Sequence, residues 1–251
     1  MTIRLERVGP VAHLVIDRAA KRNALTLEMW QAIPDLAGRA AADRSVRALI
    51  IRAASPGPFC AGADLSEILA HKDDPDWLAE SQGAINRTQR AIAQLELPTL
   101  AFVEGDAIGG GCGLAVACDL RVATPAARFA VTPAKLGLIY PLHDVKLLVD
   151  LIGPGQAKRL LYTGAIIDAG EAHRIGLVEA VSESTQEVLA GILAVSPFSL
   201  RETKRFIRLV AQGQSEDDEA TWSTFAGAFA GPDFREGVGA FLAKRAAEFD
   251  G

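Results

Sequence analysis

The chain has no apolar run of the ~18 residues that a membrane-spanning helix needs. Its opening residues, Met1-Thr2-Ile3-Arg4-Leu5-Glu6, alternate apolar and polar, so no secretory leader is expected. Cysteine is scarce. Cys60, Cys112 and Cys118 are odd in number and lack metal-ligand spacing. Each stands in an apolar or glycine-rich setting, which predicts small buried thiols in a reducing compartment. There is no basic excess: the net charge of −5 gives no electrostatic footprint for nucleic acid. These features fit a cytoplasmic protein. Apolar residues, by contrast, are abundant. At 49% hydrophobic over 251 residues, the chain can bury a sizeable core in one large domain, or in a domain with an appendage.

The first half alternates strand and helix signals. Residues 3–8 and 11–17 read as a strand pair around Gly9-Pro10. Thr26 is a candidate cap for a helix over 27–42, which Pro34 should kink or shorten. Strands are expected at 46–52, 99–105, 120–124 and 128–131, and a long helix at 76–95. Mostly non-adjacent strands predict an α/β fold with a largely parallel sheet. From Thr185 onward no strand is convincing, and helices are expected at 185–195, 198–212, 217–230 and 234–249. The division is therefore a core over 1–195 and a helical appendage over 196–251. No repeat or flexible linker separates the two.

The most informative stretch is Ile108-Gly109-Gly110-Gly111-Cys112-Gly113-Leu114. A strand that ends in glycines and opens a helix presents bare N–H groups at a positive dipole end. Such a corner can hold phosphate, carboxylate or a developing oxyanion. A second corner, Phe59-Cys60-Ala61-Gly62-Ala63-Asp64-Leu65, follows the strand at 46–52. Two corners can aim two N–H groups at one carbonyl oxygen, which stabilises an enolate or tetrahedral anion.

These motifs resemble the enoyl-CoA hydratase/isomerase (crotonase) superfamily. Lys21-Arg22-Asn23-Ala24-Leu25 is similar to its early CoA-contacting segment, and 59–65 and 105–121 to its two oxyanion motifs. Phe129 with Leu136-Gly137-Leu138, then Thr163-Gly164 and 169–178, continue the resemblance. The tail from Phe234 to Arg245 resembles the family's last helix. The resemblance implies a spiral of ββα units with a C-terminal helical subdomain, assembled as trimers or dimers of trimers. It implies an oxyanion hole from the N–H groups of Ala63 and Gly110, acting on an acyl-CoA thioester. Arg22, Ala24, Ala61, Ala63, Asp64 and Leu65 would grip the CoA moiety, with Phe241 and Lys244 reaching it, sometimes across a subunit boundary. Coenzyme A would enter only as part of the substrate; no further cofactor, metal or membrane partner is implied.

The chain also departs from that pattern. The family's two hydratase glutamates align with Gly113 and Pro133, which carry no proton-transferring side chain. A further family position, an aspartate in some isomerases and dehalogenases, aligns with Pro141. Two-glutamate hydration is therefore not expected. Residues 132–140 are similar to the methylmalonyl-CoA decarboxylase branch, where a threonine-proline pair and a tyrosine take equivalent places. Ala63, however, stands where that branch has a histidine. Thr132 and Tyr140 are thus candidate catalytic residues for decarboxylase- or isomerase-type chemistry, because loss of CO2 leaves an enolate that needs only a proton. A non-catalytic acyl-CoA-binding protein is the alternative. Other polar residues have plainer roles open to them. Asp64 and Asp144 read as helix caps, Asp119 as a turn residue, and Tyr140 as a buried ring. His143 carries a suitable intrinsic pKa for proton transfer, and Cys112 lacks a nearby base.

Overall fold

The structure, a computed structural model, describes residues 2–249. β1 (Ile3–Val8) and β2 (Val11–Ile16) form the expected antiparallel hairpin. α1 (Leu27–Ala42) leads to β3 (Ala48–Ala53), α2 (Leu65–Ala70) and α3 (Pro75–Gln94). β4 (Thr99–Val103) and β5 (Asp106–Ile108) come next, followed by α4 (Gly110–Ala117). β6 (Leu120–Ala123), β7 (Arg128–Ala130) and α5 (Leu142–Thr163) precede β8 (Ile167–Asp168), α6 (Ala169–Arg174) and β9 (Ala180–Val181). Four helices close the chain: α7 (Gln186–Leu193), α8 (Pro197–Ala211), α9 (Glu219–Ala228) and α10 (Pro232–Ala243).

The main sheet has six strands in the order β1-β2-β3-β4-β6-β9, parallel from β2 onward. A separate, smaller sheet has the order β5-β7-β8, with β5 and β7 parallel and β7 and β8 antiparallel. β5, β8 and β9 have no counterpart in the sequence expectation; the strand predicted over 99–105 stops at Val103, and the chain re-enters a sheet at Asp106. β4 is buried at four of its five residues, as befits a central parallel strand covered on both faces.

Pro34 neither kinks nor shortens α1, which runs uninterrupted through it. Proline removes the N–H that would bond the Trp30 carbonyl four residues back. Thr88 of α3 supplies the missing donor: its Oγ1 lies 2.6 Å from the Trp30 oxygen. Both residues are fully buried, so this hydrogen bond ties α1 to α3 where an orphaned carbonyl would otherwise stand. Two other helices show breaks or early ends. α5 starts at Leu142 and continues to Thr163 across a break at Gly153, whose φ of 72° is non-helical. The last helix ends at Ala243 rather than 249, because Lys244 turns left-handed at φ 53° and closes it.

Candidate active site

The two glycine corners meet. Cys60 bridges to Ala107, and the Ile108 N–H donates to the Cys60 carbonyl at 2.9 Å. A Cβ on Gly111 would collide with that same carbonyl, so only glycine permits this approach. Gly109, with φ 57° and ψ −120°, makes the turn from β5 into α4. Arg22 and Asn23 are both left-handed, a conformation that costs a non-glycine residue energy. The Asn23 amide secures the turn by donating to the Pro58 carbonyl at 2.6 Å and accepting from the Arg18 N–H at 2.8 Å. The turn lays the chain beside the first corner, where Leu25 pairs with Ala63.

Most N–H groups of the first corner are engaged. That of Ala61 donates to the Arg22 carbonyl at 3.1 Å, that of Gly62 to Cys60 Sγ at 3.3 Å, and that of Asp64 to the Leu25 carbonyl at 2.9 Å. Between them, the Ala63 N–H has no acceptor among the described residues. In the second corner the Gly109 N–H donates to the Ala130 carbonyl at 2.8 Å, and the Gly110 N–H, first in α4, has no acceptor among the described residues. The Gly110 nitrogen lies 3.0 Å from where a Gly62 Cβ would stand, so the corners touch. Behind Gly110 packs the fully buried Trp30 ring.

Ala63 and Gly110 line one cavity of about 320 Å³, together with Ala61, Leu65, Thr132 and Tyr140. Of the other sequence candidates, Arg22 pairs its guanidinium with Asp106, which Arg128 also holds at 2.7 Å. Ala24 lies in the turn, its carbonyl accepting from the Arg18 guanidinium at 2.8 Å. Asp64 caps α2, accepting from the N–H groups of Ser66 and Glu67, and pairs with Arg18 at 2.7 Å, so its carboxylate is occupied. Those hydrogen bonds hold its pKa below the usual carboxylate range against the burial that would raise it. Phe241, 82% exposed, and Lys244 do not line the cavity of their own chain. Asp119 is structural: it accepts from the Thr99 N–H at 2.8 Å and pairs with Lys204 at 2.7 Å. Cys112 is an inert thiol, since burial pushes it up to about 12.

Asp144 is not the cap that its position in the sequence suggests. The N-cap of α5 is Pro141, and Asp144 lies inside the first turn, 3% exposed, with its side chain in the cavity. It accepts from His143 Nδ1 at 3.1 Å. Gln89 of α3, with its amide nitrogen facing Asp144, donates to both carboxylate oxygens. Burial pushes the Asp144 carboxyl up, and the neighbouring His143 and Arg90 only partly offset this. Tyr140 is also pushed well above its ordinary value, first by burial. Gln89 was missed by the sequence reasoning. Its one available signal is spacing: it falls four residues after Ile85 and three before Ile92, on the buried face of α3.

Gly113 explains how these groups fit. A Cβ there would strike the Gln89 amide and stand 2.5 Å from the Tyr140 hydroxyl. The space that a side chain on α4 would occupy is filled from α3 and from the segment before α5. Among the described residues no group of three or more His, Cys, Asp or Glu could hold a metal. No helix of the described residues is long and apolar enough to cross a membrane.

The mixed α/β fold is shared with known proteins. The enoyl-CoA hydratase/isomerase family model matches residues 6–251. An enoyl-CoA hydratase/isomerase family protein from Hyphomonas neptunium superposes with a TM-score of 0.94 at 42% identity, covering 99% of this chain and 97% of that one. The crotonyl-CoA hydratase of Syntrophomonas wolfei is 35% identical, over 98% of this chain and 97% of its own. The short-chain-enoyl-CoA hydratase of Clostridium acetobutylicum is 33% identical, over 97% and 95%. The chain therefore has the crotonase fold. It belongs to the enoyl-CoA hydratase/isomerase family of acyl-CoA enzymes.

Proposed function

We propose that this chain holds the thioester carbonyl of an acyl-CoA between the N–H groups of Ala63 and Gly110. Its chemistry is isomerase- or decarboxylase-type proton transfer to and from the resulting enolate, not hydration by a glutamate pair. One observation carries this: the cavity has two backbone donors unengaged among the described residues, while position 133 in its lining bears proline and position 113, behind the lining residues Gln89 and Tyr140, bears glycine. Two preorganised donors facing one oxygen stabilise the charge that develops on it. Thr132 and Tyr140 border the reacting carbons. The turn at Arg22 and Ala24, with Ala61, Asp64 and Leu65, carries the CoA portion, chiefly through backbone.

The segment 196–251 is the oligomerisation subdomain, building a trimer or a dimer of trimers. The exposed run of aromatics Trp222, Phe225, Phe229 and Phe234, packed in tilted and edge-on pairs, supports this, as does Phe241 standing free of its own cavity. Phe241 and Lys244 then complete a neighbouring subunit's CoA site. Three buried cysteines support a cytoplasmic setting.

The test is turnover of three thioesters: crotonyl-CoA, methylmalonyl-CoA and a 3-enoyl-CoA. Turnover of one of the last two, with slow hydration of the first, is the expected result. Rapid crotonyl-CoA hydration overturns the proton-transfer preference. Tight binding of a broad panel with no turnover would instead make the chain a non-catalytic acyl-CoA binder.

A further inference from the structure

We propose that Asp144 is the catalytic proton carrier of this cavity, positioned by Gln89, and that it moves one proton between Cα and Cγ of a 3-enoyl-CoA with an apolar acyl tail. This rests on the thioester reading above. Asp144 is the one carboxylate among the described residues that line the cavity. Because Pro141 is the N-cap, the carboxylate is not consumed by its own helix. Gln89 grips both of its oxygens from α3, and Gly113 leaves Gln89 the room to do so. An acid on α4 has thus been replaced by one on α5, held across the cavity by an amide.

The groups facing Asp144 are His143 on its own helix, Tyr140 just before that helix, and Gln89 and Arg90 on α3. Cys112 of α4 stands beyond Tyr140. Burial raises both the phenol and the thiol, so they stay neutral at neutral pH, which leaves Arg90 as the standing positive charge near Asp144 and His143 as its hydrogen-bond partner. A carboxyl raised toward the working pH is suited to both taking and returning a proton.

The Asp144 carboxylate removes a Cα proton. The C–H electron pair enters the conjugated dienolate, whose charge rests on the thioester oxygen facing Ala63 and Gly110. The carboxyl then returns the same proton to Cγ, the double bond settles between Cα and Cβ, and the carboxylate is regenerated. No co-reactant is consumed. The apolar lining from Leu65, Ile68, Ile85, Ile108, Leu138 and Ile139 selects the tail. A carboxylate-bearing acyl group would meet the Asp144 anion here. The one lysine among the described residues that line the cavity, Lys135, is exposed and lays its methylene stem against Gly164.

The test uses two probes on the full chain: conversion of trans-3-hexenoyl-CoA to the 2-enoyl isomer, and exchange of the α-protons of butyryl-CoA in D2O. Asp144→Asn is expected to lower both rates by about 10²–10⁴-fold. Its KM for the hexenoyl substrate should stay within about 3-fold, since Asn keeps the shape and a hydrogen bond. Gln89→Leu removes a donor to the carboxylate, which disfavours the anion, so the acid limb of its rate profile moves to higher pH than wild type with little change in KM. Wild-type activity with an unimpaired Asp144→Asn enzyme overturns the role of Asp144 and leaves the thioester reading standing. Wild type that binds these thioesters yet neither isomerises nor exchanges overturns the role of Asp144, while the thioester reading then stands or falls on turnover of methylmalonyl-CoA. Should Asp144→Asn fail to fold, Gln89→Leu decides: an acid limb that does not move counts against the proposal.

Discussion

The cavity has two walls built by different means. One is backbone: the corners at 61–64 and 108–111, where glycines let two chain segments touch and leave the Ala63 and Gly110 N–H groups free. The other is side chain: Gln89 from α3, Asp144 from α5 and Tyr140 from the segment before α5, brought together beside Gly113. The backbone wall is local. Its donors are set by φ and ψ at a few residues, so its chemistry cannot change without changing the turn itself. The side-chain wall is assembled from positions far apart in the chain, and one substitution on a helix can replace its acid. Within one fold the first wall can therefore fix the substrate class while the second sets the reaction.

The sharpest way to break the backbone wall is Gly110→Pro, which deletes one free donor. Proline is tolerated at the first residue of a helix, where α4 places it, although its ring will press on Trp30. The expected loss is about 10²–10³ in kcat, or ~3–4 kcal/mol of transition-state stabilisation. The carbonyl stretch of a bound acyl-CoA, read by difference infrared spectroscopy, should shift back toward its value in water. A folded variant with full activity and an unshifted carbonyl band would show that Gly110 is not the donor.

Gly113→Glu attacks the other wall by returning a carboxylate to α4. The new side chain meets the Gln89 amide and the Tyr140 hydroxyl in a buried space. Overpacking and the burial of a charge should together cost about 3 kcal/mol or more of stability, measured by denaturant unfolding. Crotonyl-CoA hydration should not appear, because Pro133 still supplies no second acid. Adding Gln89→Ala should recover part of the stability, and the recovery should exceed what the two single changes sum to. Additive effects would mean that Gln89 and a side chain at 113 do not compete for one space.

The backbone wall was legible in the sequence because its signals are local: glycine runs at strand ends, and a motif order that matches a known family. That positions 113 and 133 carry no acid was legible directly from the glycine and proline that stand there. The side-chain wall was not. Asp144 one residue before an apolar helical stretch looks like a cap, and only the packing of α5 against α3 shows it turned inward. Gln89 lies mid-helix with no turn, glycine or charge to mark it. Pro34 misled in the same way, since the donor that preserves α1 comes from Thr88, far along the chain.

Thr88 offers the smallest and most selective change. It neighbours Gln89 in sequence, yet it supports the opposite wall: its hydroxyl completes the Trp30 carbonyl, and the Trp30 ring backs Gly110. Thr88→Val keeps the volume and β-branching but leaves a buried carbonyl without a donor. The expected cost is about 1–2 kcal/mol of stability, with the same unfolding cooperativity. If the walls are separable, kcat should fall modestly as Gly110 loses its backing, while the acid limb of the pH profile stays where it is in wild type. A shifted acid limb would mean that the contact between α1 and α3 also sets the environment of Asp144, and that the two walls act as one.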